Sequence, residues 1–251
     1  MKNHIHYTQI TSTNTLLKEM LQSNPALPNF SVVSADYQTS GRGQRENRWE
    51  SASGQNLLFS ILIKPQTLSA TKAFAISQIV SVAIAKQLSN YISNIKIKWP
   101  NDIYCGDKKI CGILIENSLM SNCIDSSVVG VGINVNQTDF SASLPNPTSL
   151  AILTEKTYCL EKVLEGVMAE IEKHYGNYFS RGESEMNDLY HNLLYRLNTP
   201  AKFRIKNTSV STKNNVEEAT IIGVESNGCL ILKHADETIR SYAFKEIEYV
   251  I

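Results

Sequence analysis

The spacing of apolar and polar positions changes period several times along the chain, and each change predicts an element. Residues 4–10 read as a short strand. Ser12 and Thr13 then stand as caps for a helix through about Ser23, with Leu16, Leu17, Met20 and Leu21 on one face. Residues 30–38 read as a strand, 39–56 as a long polar loop, and 57–64 as an apolar strand buried on both faces. The stretch 69–91 carries Phe74, Ile76, Ile79, Val80, Ala83, Ile84 and Leu88 without proline or glycine, which predicts a long helix packed across a sheet.

Strand spacing returns at 95–99. Cys105-Gly106-Asp107-Lys108 has turn chemistry, so 103–105 and 109–119 are expected to pair as a hairpin, with 127–135 as a further strand. From 148 to 195 the spacing is helical, with interruptions expected near Gly176 and Gly182. After about Asn198 the pattern becomes short alternating strands at 201–205, 219–224, 229–232 and 238–242, the signature of a small antiparallel barrel. The polar segment 207–218 reads as a mobile hairpin loop. Two domains are therefore expected, 1–197 and 198–251.

Composition removes several function classes. The 251 residues carry 24 Lys plus Arg and 24 Asp plus Glu, so no global charge recruits nucleic acid and no acidic surplus points to disorder. Five cysteines, with no C-x-x-C pair and no histidine at ligand spacing, suit a reduced, cytoplasmic setting. The start MKNHIHYTQI is too polar for a signal peptide, and no apolar run reaches the length of a membrane span.

The candidate chemistry lies in two segments. GRGQRENRW, from Gly41 to Trp49, is a glycine loop with three arginines; its backbone N–H groups and guanidinium forks suit a phosphate or carboxylate. KWPNDIYCGDKKICGILIE, from Lys98 to Glu116, brings Lys98, Lys108 and Lys109 around a turn. Together they describe a site for a small anion and a nucleotide. These segments, with TSTN at 11–14, GVGINVN at 130–136 and PTSL at 147–150, resemble the catalytic domain of biotin protein ligases over most of the chain.

That resemblance implies an α+β fold, a mixed, largely antiparallel sheet with helices on one side, similar to class II aminoacyl-tRNA synthetases, plus a small C-terminal SH3-like barrel. It implies a ligase that adenylates biotin with ATP and Mg²⁺ and transfers it to a lysine of a carboxylase's biotin carboxyl carrier domain. Lys109, in the K-x-x-G segment, would be the catalytic cation between two converging anions, with Arg42 beside it. Ser12, Thr13, Asn14, Gln38, Gly41, Arg42, Lys109 and Gly112 would contact biotin. Arg45, Arg48, Trp49, Lys98, Asn101, Asp102 and Asn134 would contact ATP, with Asn101 and Asp102 holding Mg²⁺.

Each of these residues also has a plainer reading: Ser12 to Asn14 as a helix start, Trp49 as core, the lysine pair as a solvated turn, Asn134 as a strand-end turn. The loop departs from the usual GRGRxGRxW, since Gln44, Glu46 and Asn47 stand where Arg, Gly and Arg are usual. The roles of Gln44, Arg45 and Arg48 stay open. Cys111, flanked by Ile110 and with no histidine in the segment, reads as a small core residue rather than a nucleophile.

A lipoate ligase or octanoyl transferase shares the fold, but its RRxSGGG-type loop and H-D pair are not in this sequence. A non-catalytic carrier-binding module is the other competitor. Only ten residues precede TSTN, so no DNA-binding domain is expected. A homodimer is compatible with the sequence.

Overall fold

The computed structural model describes residues 3–44, 47–206 and 216–250. Arg45 therefore lies outside the described residues, as does most of the expected 207–218 loop. The main sheet is built from β1 (His4–Ile10), β2 (Val32–Gln38), β3 (Leu57–Ile63), β4 (Ile95–Lys98), β5 (Asp102–Cys105), β6 (Lys108–Met120) and β7 (Cys123–Ile133). Its seven strands run in the order β1-β2-β3-β7-β6-β5-β4, and only β1 and β2 pair in parallel. The mixed, largely antiparallel sheet read from the sequence is thus present.

Every residue of β3 is buried, because both faces of the sheet are covered there. Leu57, Phe59, Ile61 and Ile63 join a large core with the helices α2 (Phe74–Leu88), α4 (Leu160–Arg181) and α5 (Glu183–Leu193). Leu62 points the other way, into a smaller cluster with Val33, Val128 and Leu17 of α1 (Thr13–Ser23). Helices α2, α4 and α5 therefore share one face, and α1 lies on the other. Strand alternation makes this a property of sequence parity: on β3, on β6 from Cys111 to Ile115 and on β7 from Val128 to Ile133, the odd residues feed the large core and the even ones face α1 and what lies beside it.

Two helical expectations change. The first turn of the 69–91 stretch is a 3₁₀ turn, Ala70–Lys72, before α2 begins at Phe74. Gly176 does not interrupt α4, which runs through it; one glycine costs a helix only about 1 kcal/mol, and buried Ile171, His174 and Tyr178 hold the surrounding turns. Gly182, at φ 93°, is where α4 ends. A short α3 (Leu150–Thr154) precedes α4, capped by the Ser149 hydroxyl accepting from the Ile152 N–H at 3.1 Å.

Beyond Asn198 the strands β8 (Pro200–Ile205), β9 (Val216–Val224), β10 (Leu230–His234), β11 (Ile239–Tyr242) and β12 (Ile247–Tyr249) form an antiparallel sheet ordered β11-β10-β9-β8-β12. No pairing closes it into a ring among the described residues. β12 was not foreseen from the sequence. The sheet is joined to the rest by continuous core, since Phe203, Ile221, Leu230 and Ile247 belong to the same buried cluster as α2 and α5. Trp99 contributes a specific tie: its indole N–H donates to Gly228 O at 2.9 Å and its ring meets Phe244 edge-on.

Candidate functional site

A cleft of about 350 Å³ opens on the α1 face of the sheet, within the size range of small-molecule sites. Its floor follows from strand register. Gly112 of β6 pairs with Gly132 of β7, and Leu114 with Gly130, so three glycines lie together on the face opposite the long helices. Nothing larger fits. A Cβ on Gly132 would sit 2.3 Å from Trp49 Cε2, one on Gly112 2.7 Å from Trp49 Cζ3, and one on Gly130 2.3 Å from Asn14 Oδ1.

Lys109 is an odd residue on β6 and by simple alternation would face the core. A register shift between β5 and β6 changes its aim: Tyr104 pairs with Lys109 but Ile103 pairs with Cys111, leaving Ile110 as the extra residue of a bulge. Ile110 and Cys111 are consequently both buried, while Lys109 joins the Gly112 face. Its ammonium lies 2.7 Å from Asp102 Oδ1, an ion pair outside hydrogen-bond geometry, and 5.6 Å from the centre of the Trp49 ring. The backbone of Lys109 is clamped from behind, donating to Asn146 O at 2.8 Å and accepting from the Thr148 N–H at 2.9 Å.

Of the 130–136 segment only Gly130, Val131 and Gly132 line the cleft; Asn134 and the 147–150 segment lie behind it. Asn134 is buried outside the lining; its Nδ2 donates to Thr148 O at 2.9 Å and its N–H to Ile110 O at 2.8 Å. It therefore braces the strand that carries Lys109 rather than offering its amide to a nucleotide.

One end of the cleft is neutral, polar and buried. The Thr13 N–H and hydroxyl both donate to Gln38 Oε1, at 2.7 and 3.1 Å. Ser60, the polar residue on the even face of β3, brings its hydroxyl to 2.7 Å from Thr13 Oγ1 and 2.5 Å from Asn14 Oδ1. Ser12 occupies the helix N-cap position but its side chain makes no capping bond, which leaves the hydroxyl at the cleft wall.

Glu116, which the sequence reading did not single out, ties this end to the arginine loop. Asn14 Nδ2 donates to its Oε2 at 2.9 Å and Lys18 Nζ to its Oε1 at 2.5 Å. Arg42 adds a two-pronged contact, to Oε2 at 3.2 Å and Oε1 at 3.0 Å. Burial pushes this carboxyl up, but the hydrogen bonds from Lys18 and Asn14 and the charges of Lys18 and Arg42 outweigh it and hold it below the usual range. Counting parity from the Ile110 bulge would have found Glu116, since it follows Gly112 and Leu114 on the same face.

The loop folds back on itself. Gly43 N–H donates to Asn47 O at 2.8 Å and Trp49 N–H to Gly41 O at 3.0 Å. Gly41 lies too close to Trp49 for any side chain, and it shapes the loop rather than lining the cleft. Arg48, Gln44 and Asn47 do line it. Trp49 covers the glycine floor with its indole N–H buried and unbonded.

The far wall carries Lys98, Asn101 and Asp102. Asn101 is fixed to β6 twice, its Nδ2 donating to Ile113 O at 2.8 Å and its carbonyl accepting from the Ile113 N–H at 2.9 Å. Burial lowers the pKa of Lys98; Lys109 and Arg196 lower it further, while Asp102 and Glu248 oppose them. The last strand also reaches the cleft, through Ile247, Glu248 and Tyr249, with Phe244 just before it. Cys111 is buried away from this surface, and burial pushes its thiol up, consistent with a core residue.

The arrangement offers a neutral hydrogen-bonding pocket, a lysine ammonium beside a glycine floor, an arginine loop and a second cation on the far wall. A family model described as the biotin/lipoate A/B protein ligase family matches residues 7–134. The bifunctional ligase/repressor BirA of Bacillus subtilis is 28% identical over 252 residues, covering 99% of this chain and 74% of that protein. Its namesake from Escherichia coli K12 is 32% identical over 127 residues, 50% of this chain and 38% of that one. Among solved structures, the biotin protein ligase from Aquifex aeolicus in complex with biotin and ATP superposes with a TM-score of 0.80 at 24% identity, covering 100% of both chains. The last of these establishes likeness of fold; the family model spans more than half of the sequence, and the chain belongs to the biotin/lipoate A/B protein ligase family.

Proposed function

We infer that this protein is an ATP-dependent ligase that joins biotin to a lysine of a biotin carboxyl carrier domain. The observation that carries the reading is the bulge that turns Lys109 out of the core, onto a glycine floor between a neutral polar pocket and an arginine loop. The names of the relatives as ligases, and the biotin and ATP in the similar Aquifex aeolicus structure, supply the substrates.

In the first half-reaction a biotin carboxylate oxygen attacks the α-phosphorus of ATP. The new bond is a mixed anhydride, and pyrophosphate leaves with the electron pair of the broken P–O bond. Two anions must approach, so a cation between them lowers the barrier. Lys109 suits this role because its ammonium, on a flexible stem and paired with Asp102, could follow the charge as it moves from carboxylate to phosphate. Arg42 would add a fork to the same oxygens once it leaves Glu116. In the second half-reaction the neutral lysine amine of the carrier attacks the acyl carbon, an amide forms, and AMP departs.

Biotin's ureido ring has one carbonyl and two N–H groups, and the Ser12, Thr13, Asn14 and Gln38 end offers paired donors and acceptors for it. Gly112 would permit close approach of the ligand, and Gly41 would act by shaping the loop. Trp49 offers a flat face for the nucleotide, with Arg48 and Lys98 for its phosphates. Arg45 lies outside the described residues and Asn134 serves as a brace.

Mg²⁺ fits the far wall. Asp102 and Asn101 both line the cleft and carry hard oxygen donors, and a magnesium ion commonly takes one or two protein oxygens with phosphates and water completing its shell. No group of three or more acidic, histidine or cysteine ligands occurs among the described residues, so the nucleotide would supply the rest. The ion would neutralise phosphate charge.

Incubating the protein with radiolabelled ATP, with and without biotin, tests the reading. Biotin-dependent adenylate and pyrophosphate are expected, followed by label on a purified carrier domain but not on its Lys→Arg variant. Adenylate formation with lipoate in place of biotin, or none with either, would overturn it.

A further inference from the structure

Lys98 closes β4 and is the cation of the far wall. Its Nζ lies 5.1 Å from the centre of the Tyr104 ring and 4.7 Å from that of Tyr249. Tyr104 belongs to β5, which pairs directly with β4. Tyr249 belongs to β12, so the second ring arrives from the C-terminal sheet. The rings themselves are locked: Tyr104 packs on Tyr195, and Tyr249 on Tyr195 and Phe203.

Two aromatic faces attract an ammonium without consuming its N–H donors in strong hydrogen bonds. A lysine held this way keeps its donors for an incoming anion. The position is also right for a tail rather than a reacting centre. Lys109 sits beside the glycine floor where attack would occur, and Asp102 lies between the two lysines, ion-paired to Lys109 and attracting Lys98. Along this wall the charges alternate, Lys109, Asp102, Lys98, which leaves Lys98 to meet phosphates further from the attacked phosphorus.

Resting on the biotin-adenylating reading above, we propose that Tyr249 is a positioning residue that aims the Lys98 ammonium at the triphosphate tail of ATP. The C-terminal sheet thereby takes part in holding pyrophosphate, the leaving group, and its last strand is a working wall of the cleft. The hydroxyl of Tyr249 has no part in this: it is buried without a partner, and only the ring faces the lysine.

The test compares Tyr249→Phe, Tyr249→Leu, Lys98→Met and the double variant Tyr249→Leu/Lys98→Met in biotin-dependent adenylation by the full chain. Tyr249→Phe keeps the ring and should match the parent. Tyr249→Leu should raise the KM for ATP and the inhibition constant for added pyrophosphate by about fivefold, the scale of one lost ring contact to a cation. Its KM for biotin should stay within about twofold, since no biotin-end residue is touched. Lys98→Met should show the same selective loss, and the double variant should be no worse than Lys98→Met alone, because the ring acts only through the lysine.

Equal rises in both KM values, unchanged ATP and pyrophosphate binding in Tyr249→Leu, or additive losses in the double variant would each overturn the proposal. If Tyr249→Leu fails to fold, Lys98→Met with pyrophosphate decides it: unchanged inhibition removes the lysine from the tail and the ring's function with it. A parent that forms no biotinyl-adenylate would instead sink the underlying reading.

Discussion

The two ends of the cleft are built on opposite plans. At the neutral end, Thr13, Asn14, Gln38 and Ser60 are cross-bonded to one another, and Ser12, Thr13, Asn14 and Ser60 are almost wholly buried. At the charged end, Arg42 and Lys109 are long side chains resting on carboxylates, with about 47% and 31% of their side chains exposed. The contrast follows from what each end is proposed to bind. A urea ring has a fixed donor and acceptor pattern, so its partners gain by being immobile before it arrives. A carboxylate that becomes an acyl phosphate moves its charge during the reaction, and only a mobile cation can follow.

The largest expected effect comes from the charged end. Lys109→Ala should lower biotinyl-adenylate formation by at least about 100-fold, the scale of removing one preorganised electrostatic group, with the melting temperature nearly unchanged because the side chain is outside the core. Near-parental adenylation would show that the charged end does not depend on this lysine.

Gly130→Ala probes the rigid end. Its new Cβ would fall 2.3 Å from Asn14 Oδ1, so the prebuilt network must shift. The KM for biotin should rise by about tenfold, comparable to the loss of one or two hydrogen bonds, while the KM for ATP holds. A parallel rise for ATP would mean the two ends are not separable.

The third test asks whether ligand reorganises the charged end alone. Arg42 and Arg48 are exposed trypsin sites in a long polar loop, and biotin with ATP should protect them by drawing the loop over the cleft. Biotin alone should protect less. Cleavage that is indifferent to both ligands would mean that the loop does not close.

The smallest effect is expected at the residue joining the ends. The Glu116 carboxyl is depressed in the folded protein, so its stabilising contribution is complete above the unfolded carboxylate range and is lost as pH falls through the folded value. Glu116→Gln should therefore melt a few degrees below the parent at neutral pH, about 1 kcal/mol for a protein of this size, and the gap should close in acid. A gap that persists in acid would place the effect in packing rather than charge.

Much of this is legible in the sequence. The helix after Ser12, the doubly buried strand at 57–64, the hairpin around Gly106 and the change to short alternating strands after Asn198 all follow from local spacing and turn chemistry. These are near-neighbour properties, and near neighbours are what a sequence displays. The residues of the two motif segments were likewise identifiable, from the three arginines of the glycine loop and from the resemblance the two segments carry.

What only the tertiary structure decided is how those residues face. Lys109 would point into the core but for the bulge at Ile110, which buries Ile110 and Cys111 together. Asn134 stands outside the cleft, its amide donating to the Thr148 carbonyl. Glu116 entered the site through three partners that are distant in the chain, and Tyr249 reached Lys98 from a strand at the opposite terminus. Side-chain direction depends on register and on long-range closure, and neither is encoded in any single stretch of residues.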